Sequence, residues 1–322
     1  MQEISLCFSD FSAYCIDGIM MKKFQFIIIF LFLSCVINLY AQEQEIDQNY
    51  LIGARNAGLG DADISSANDV SSMYENPATI VFMKHSSIFF NHTEVRDGMG
   101  MFENLAFPIL PKGPQMISFG FQLFHLGYLQ NFPGIRGVHL LEYGYDLAIS
   151  SIITPTVSIG ALAGLREGVT DNSKTWASSY LIGLDYSPSA DINYAIIYKG
   201  MGNDVMYQQS GSFLSVSSDQ MPNRLEIGAT MSYPSSSSLR RKIFSLSMAN
   251  EKVFGISGLY YKAGIEVFPF EFLSLRFGFI AGPGVSEPRY GIGFSYSNFR
   301  FEYVYYSAVS NFLQQLSVIY DL

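Results

Sequence analysis

The first residues to weigh for chemistry are four histidines, His85, His92, His125 and His139. No two share the i, i+4 spacing that would place both on one helix face, and no HExxH run occurs, so metal ligation has nothing to build on. The three cysteines, Cys7, Cys15 and Cys35, all precede residue 42. Downstream there is no thiol nucleophile, no disulfide framework and no sulfur-ligated metal. Gly255-Ile256-Ser257-Gly258 lacks the spacing of a nucleophile elbow. The glycine-rich stretch from Gly53 to Gly60 has no Lys-Ser/Thr ending and no preceding strand, so it is not a phosphate loop. The chain therefore reads as a non-enzyme with no cofactor and no metal.

What remains is a set of charges spaced along alternating segments: Glu142, Asp146, Asp185, Lys199, Glu226, Lys262, Glu266, Arg276, Arg300 and Glu302. Each falls on the polar face of its segment. In 141–150, Leu141, Tyr143, Tyr145, Leu147 and Ile149 oppose Glu142, Gly144, Asp146, Ala148 and Ser150. In 225–232, Leu225, Ile227, Ala229 and Met231 oppose Glu226, Gly228, Thr230 and Ser232. Period two is the strand period. No carboxylate pair stands out as acid and base, because spacing across strands cannot be read from one sequence. The charges are expected to point into a lumen, where they hydrate, pair and hold a plug; a selective conduit is the sharper alternative.

The elements that must carry these charges follow from composition. Charged residues make up 15% of the 322-residue chain, against roughly 25% in a typical soluble domain. Phe and Tyr are abundant, at 27 and 21, and there is one Trp. Such a surface suits lipid. A soluble β-sandwich also alternates, but its aromatic face would be left as a large exposed patch. The formal net charge of −9 and the lack of a basic stripe exclude a nucleic-acid partner. Segments of about ten residues suit a tilted strand crossing a bilayer. They centre near 89, 105, 119, 145, 160, 182, 196, 228, 246, 264, 276, 292, 303 and 318. The expected fold is all-β: an antiparallel transmembrane β-barrel of about 14 strands with a small N-terminal plug. Pro188–Asp191, Pro269–Glu271 and Ser297-Asn298 suit short periplasmic turns, and 166–174, 200–222, 250–258 and 281–288 suit external loops.

The N-terminal region divides further. Met21-Lys22-Lys23, the apolar run Phe24–Ile37 and Ala41 have the layout of a cleaved signal peptide over 21–41, with a membrane anchor and a lipoprotein leader as lesser alternatives. Residues 1–20 are mildly acidic where a leader needs a basic start, and read as an annotation artefact upstream of Met21. Residues 42–85 are turn-rich, with no persistent period-two face, and are expected to plug the lumen. Residues 86–322 form the barrel. The location implied is the outer membrane of a Gram-negative bacterium, with its lipid as the surrounding partner.

The run Gly53-Ala54-Arg55-Asn56-Ala57-Gly58-Leu59-Gly60-Asp61-Ala62, then Asn68-Asp69, Ser71-Ser72 and Asn76-Pro77-Ala78, resembles the start of the PorV/PorQ proteins, relatives of the FadL-type fatty-acid transporters. The stretch Asn298–Tyr303 is also similar. The resemblance marks Gly53, Arg55, Gly58, Gly60, Asn68, Asp69, Asn76, Pro77 and Ala78 as the plug motif. It implies a fourteen-stranded barrel that supports type IX protein secretion by binding cargo proteins or secretion components. The alternative it implies is a FadL-like channel for hydrophobic small molecules. Two departures stand out: the chain ends in Leu322 where many barrels end in Phe, and Glu75 precedes Asn76 where a neutral or aromatic residue is usual.

Overall fold

The structure, a computed structural model, describes residues 52–66, 69–83, 86–95, 100–110, 114–126, 140–170, 173–201, 206–209, 222–233, 242–308 and 311–322. The segments read as leader and upstream extension, together with Asn68, His85 and His139, lie outside the described residues. The strands are β1 (Ser87–Val95), β2 (Gly100–Leu110), β3 (Gln115–Leu126), β4 (Leu140–Thr154), β5 (Val157–Thr170), β6 (Ser173–Ser189), β7 (Ile192–Met201) and β8 (Met206–Gln209). They continue with β9 (Arg224–Tyr233), β10 (Phe244–Val253), β11 (Tyr260–Phe270), β12 (Leu273–Gly282), β13 (Val285–Tyr296), β14 (Phe299–Ala308) and β15 (Asn311–Asp321).

Each strand pairs antiparallel with its neighbour. The ring closes where β1 meets β15, in register from Ser87↔Asp321 to Val95↔Leu313. Among the described residues the short β8 pairs only with the start of β6, and β7 bonds directly to β9. The result is a closed 14-strand antiparallel barrel, and each of the fourteen expected segment centres falls within one of its strands. Closure leaves no open sheet edge, which lipid could not hydrogen-bond.

Alternation explains which way each side chain faces. On β12, Ser274, Arg276, Gly278 and Ile280 are buried, while Leu275, Phe277 and Phe279 are exposed. The outer wall carries large aliphatic and aromatic side chains on the strands: Leu165 is 64% exposed and Ile182 56%. In water such a wall would be untenable; against hydrocarbon each large side chain gains roughly 1.5–3 kcal/mol.

Several loop expectations are corrected. Residues 166–170 continue β5 and 173–174 open β6, while 281–282 and 285–288 belong to β12 and β13, joined by a tight Pro283-Gly284 turn. Residues 250–253 end β10, and part of 200–222 is strand, in β7 and β8. Pro188 and Pro269 likewise lie inside β6 and β11 rather than in turns. Both sit at register shifts, between Tyr186 and Ser189 and between Val267 and Phe270. A bulge frees the ladder position where proline has no N–H to donate, so proline marks a strand irregularity here rather than a strand end.

Residues 52–66 and 69–83 occupy the interior, with one short helix, α1 (Ala54–Gly58), and two 3-10 turns, Val70–Tyr74 and Pro77–Phe82. Helix α1 packs on β12 to β15, the first turn on β1 and β2, and the second on β3 to β6. The apolar side chains Val70, Met73 and Ile80 join Phe89, Leu162, Leu181 and Ile319 of the wall in one buried cluster.

Candidate functional site in the barrel interior

The inner wall is small because backbone has to reach it. The Asn-Pro-Ala motif shows how. Asn76 is fully buried; its Oδ1 accepts from Ala78 N at 3.1 Å and its Nδ2 donates to Ile64 O at 3.0 Å. This Asx turn sets the entry to the 3-10 turn, with Pro77 at its first position, where the missing N–H costs nothing. Ala78 O then accepts from Ser150 Oγ at 3.1 Å and Ser158 Oγ at 2.6 Å, fastening the motif to β4 and β5. A Cβ on Gly160 would sit 2.4 Å from Ala78 N, and one on Gly183 would sit 1.9 Å from Asn76 Oδ1.

Nearly across the ring, Gly58-Leu59-Gly60 makes the second close approach. Gly60 has φ of 65° and Asp61 φ of 55°, so the chain reverses through two left-handed residues. A Cβ on Gly278 would meet Gly60 N at 2.1 Å, and one on Gly264 would meet Leu59 O at 2.3 Å. Glycines on β5, β6, β11 and β12 thus form two flat seats for the N-terminal segment. Gly53, at φ 115°, caps α1.

Charge fastens the remainder. Arg55 Nη1 lies 2.5 Å from Asp63 Oδ2, and its Nη2 lies 2.8 Å from Glu266 Oε2. Burial opposes the charge on Arg55, but Glu266 and Asp63 more than offset it and hold the guanidinium protonated. Glu266 also takes Arg276 Nε at 2.7 Å, and Arg276 contacts Glu302 and donates to Ser274 Oγ at 2.8 Å. Asp63 further accepts from Ser66 Oγ at 2.6 Å and Thr230 Oγ1 at 2.9 Å.

A second group surrounds Lys262. Glu226 and Glu251 face each other directly across β9 and β10. Lys262 Nζ, from β11, lies 2.9 Å from Glu226 and 2.7 Å from Glu251, and Arg224 adds a contact to Glu251 at 3.1 Å. A bare pair of opposed carboxylates would repel; the lysine makes the arrangement tenable.

A third group holds the Asp61 turn. Arg289 Nη1 lies 2.6 Å from Asp61 Oδ2, its Nη2 lies 3.3 Å from Glu287, and its guanidinium covers the Tyr306 ring at 4.3 Å. Burial pushes the Asp61 carboxyl up against the pull of Arg289.

Elsewhere, Asp146 accepts from Arg166 Nη1 at 2.8 Å and Gln122 Nε2 at 2.7 Å, while Glu142 is half-buried on the same face of β4. Arg300 bridges Asp69 at 3.5 Å and Asp321 at 3.0 Å, tying the N-terminal segment to the last strand. Asp69 also caps the first 3-10 turn through Ser71 N at 2.9 Å. Asp185 is buried beside Ser187 Oγ at 2.8 Å. His92 is not part of the interior; it pairs with Glu103 at 2.6 Å across β1 and β2.

Sequence reasoning missed Asp61, Asp63, Arg166, Arg224, Glu251, Glu287 and Arg289. A usable signal existed for some. Glu287 and Arg289 share the phase of Gly291 and Gly293, and Glu251 that of Ser245, Ser247 and Ala249. Glu251 and Glu287 were hidden because 250–258 and 281–288 read as loops, and Arg289 directly follows the second of these.

No family model matches this chain, and no curated protein matches it. Solved structures do. A structure described as the CymD monoaromatic hydrocarbon channel superposes with a TM-score of 0.63 at 11% identity, covering 84% of this chain and 97% of that one. The Pseudomonas putida toluene transporter TodX gives 0.57 at 12% identity, over 88% and 98%. A Pseudomonas aeruginosa FadL homologue gives 0.54 at 11%, over 83% and 98%. At these identities the likeness is one of fold: the chain has the fourteen-strand architecture of FadL-type outer-membrane barrels.

Proposed function

We propose that this protein is an outer-membrane channel that passes hydrophobic small molecules, with residues 42–85 as its plug and 86–322 as its barrel. The observation that carries this reading is the superposition of 84–88% of this chain on nearly the whole of barrels described as a monoaromatic hydrocarbon channel and a toluene transporter. The interior agrees with it. The N-terminal segment is seated on glycine and held by hydrogen bonds and ion pairs beside its apolar contacts to the wall at Val70, Met73 and Ile80. Its polar contacts can be exchanged as the segment shifts, and differential affinity of a solute for the shifted state supplies the cost.

In this reading the plug motif seats the segment and the lumen charges Glu142, Asp146, Glu226, Lys262, Glu266, Arg276, Arg300 and Glu302 anchor or hydrate it. A leader over 21–41 delivers the chain to the outer membrane, and no catalysis is involved. The type IX secretion role suggested by the N-terminal resemblance draws no support from the structural neighbours.

The test is reconstitution of the full chain into lipid vesicles, with toluene or a fluorescent fatty acid as probe. Faster entry than into protein-free vesicles is expected. Entry at the protein-free rate, combined with co-purification of secretion components from native membranes, would overturn the reading.

A further inference from the structure

We propose that Glu75 and Lys199 form a proton-sensitive latch, which holds the plug seated while the Glu75 carboxyl is protonated and loosens it on ionisation. The proposal rests on the plug assignment made above. Glu75 immediately precedes the Asn76-Pro77-Ala78 seat and follows the first 3-10 turn, so it lies on the link between the two turns of the segment. It is 8% exposed, although it is a carboxylate. The cation facing it, Lys199 Nζ on β7, is 4.0 Å from Glu75 Oε2, the outer limit of an ion pair. The other charges that face it are acidic: Asp61 from the segment itself and Glu226 from β9. Glu226 already holds Lys262 at 2.9 Å. Glu75 thus contrasts with Asp61, Asp63 and Asp69, whose carboxylates have arginine partners within 3.5 Å.

The direction follows from solvation. Burial is the largest influence on Glu75 and raises its carboxyl, Lys199 and a hydrogen bond from the Asn56 side chain oppose, and Asp61 and Glu226 add to the rise; the outcome is a group pushed up to about 7. Released into water, the same carboxyl returns to its ordinary value of 4.5. Seating therefore takes up a proton. It is fully favoured below the released value and loses that support as pH rises through the seated one. Between pH 5 and pH 8.5 the ratio of seated to released plug falls on the order of 10²-fold.

The experiment uses the full chain in lipid vesicles, with a nitroxide spin label on Phe82→Cys. Cys7, Cys15 and Cys35 are replaced by serine, so that the label has one site. The mobile fraction of the spectrum is expected to rise as pH is raised from 5 to 8.5, the range over which the Glu75 carboxyl ionises in the seated plug. Glu75→Gln, which mimics the protonated acid, should stay immobilised across the range. Lys199→Met removes the opposing cation and should move the midpoint to higher pH. Heat-modifiable gel mobility identifies which variants retain the barrel. A pH-independent spectrum in the parent chain, or an unchanged pH response in folded Glu75→Gln, overturns the latch. Probe entry measured in the same vesicles separates the two readings. A Glu75-dependent spectrum without solute entry removes the channel and leaves the latch, whereas entry with a flat spectrum removes the latch alone.

Discussion

Replacing Gly160 with alanine should unseat the plug and spare the barrel. The added Cβ would lie 2.4 Å from Ala78 N, 2.4 Å from Pro77 C and 2.6 Å from Pro77 O, all of them backbone atoms that cannot rotate away. The Asn-Pro-Ala turn must retreat by about 1 Å to restore ordinary van der Waals contact. That retreat breaks the two hydrogen bonds to Ala78 O, from Ser150 at 3.1 Å and Ser158 at 2.6 Å. All three partners are buried, and each group left unsatisfied costs about 1–3 kcal/mol. Against seating, the sum is roughly 3–9 kcal/mol, which lowers the seated-to-released ratio by about 100-fold or more. The wall bears none of this cost, since alanine is the better strand residue by about 0.5–1 kcal/mol. Limited proteolysis of the reconstituted chain reports the plug, and heat-modifiable mobility reports the barrel. The expected result is rapid cleavage within residues 52–83 with an unchanged barrel shift. Ala161→Leu, whose side chain faces outward on the same strand, should resemble the parent. Parental protease resistance in folded Gly160→Ala would refute the claim that backbone contact seats the plug.

Other perturbations separate the remaining contributions. Arg276→Met leaves Glu266 and Glu302 buried beside a missing cation, and should lower stability by about 3–5 kcal/mol in a urea titration of the barrel. Replacing Glu266, Arg276 and Glu302 together by apolar residues should cost less than that single change, because Arg55 alone then loses a partner and it keeps Asp63. Ile182→Arg, on the outward face of β6, should cost about 2–4 kcal/mol if it lies at mid-bilayer, measured by the same titration. Arg300→Gln should loosen the Asp69 end of the segment and shorten its protease lifetime, while solute entry rises.

The strands were legible in the sequence because lipid contact imposes a strict rule. Every second residue of a spanning strand has to be apolar, whatever its neighbours do. That is why Glu226, Lys262, Glu266 and Glu302 could be placed on an inward face from phase alone. Proline and glycine misled at 166–174 and 281–288, since a bulge or hairpin can absorb residues that elsewhere end a strand. The Gly, Ser and Ala content of the inner face was visible, but its purpose was not. Only the folded ring brings Gly160 under Ala78 and Gly278 under Gly60, more than eighty residues apart in each case.

Partnering was likewise decided by register and ring closure. Nothing in the chain order links Arg55 to Glu266, or Arg289 to Asp61. Phase along a strand is a local property that one sequence carries in full. Contact across a lumen depends on how fourteen strands are staggered and closed, which is a property of the whole ring.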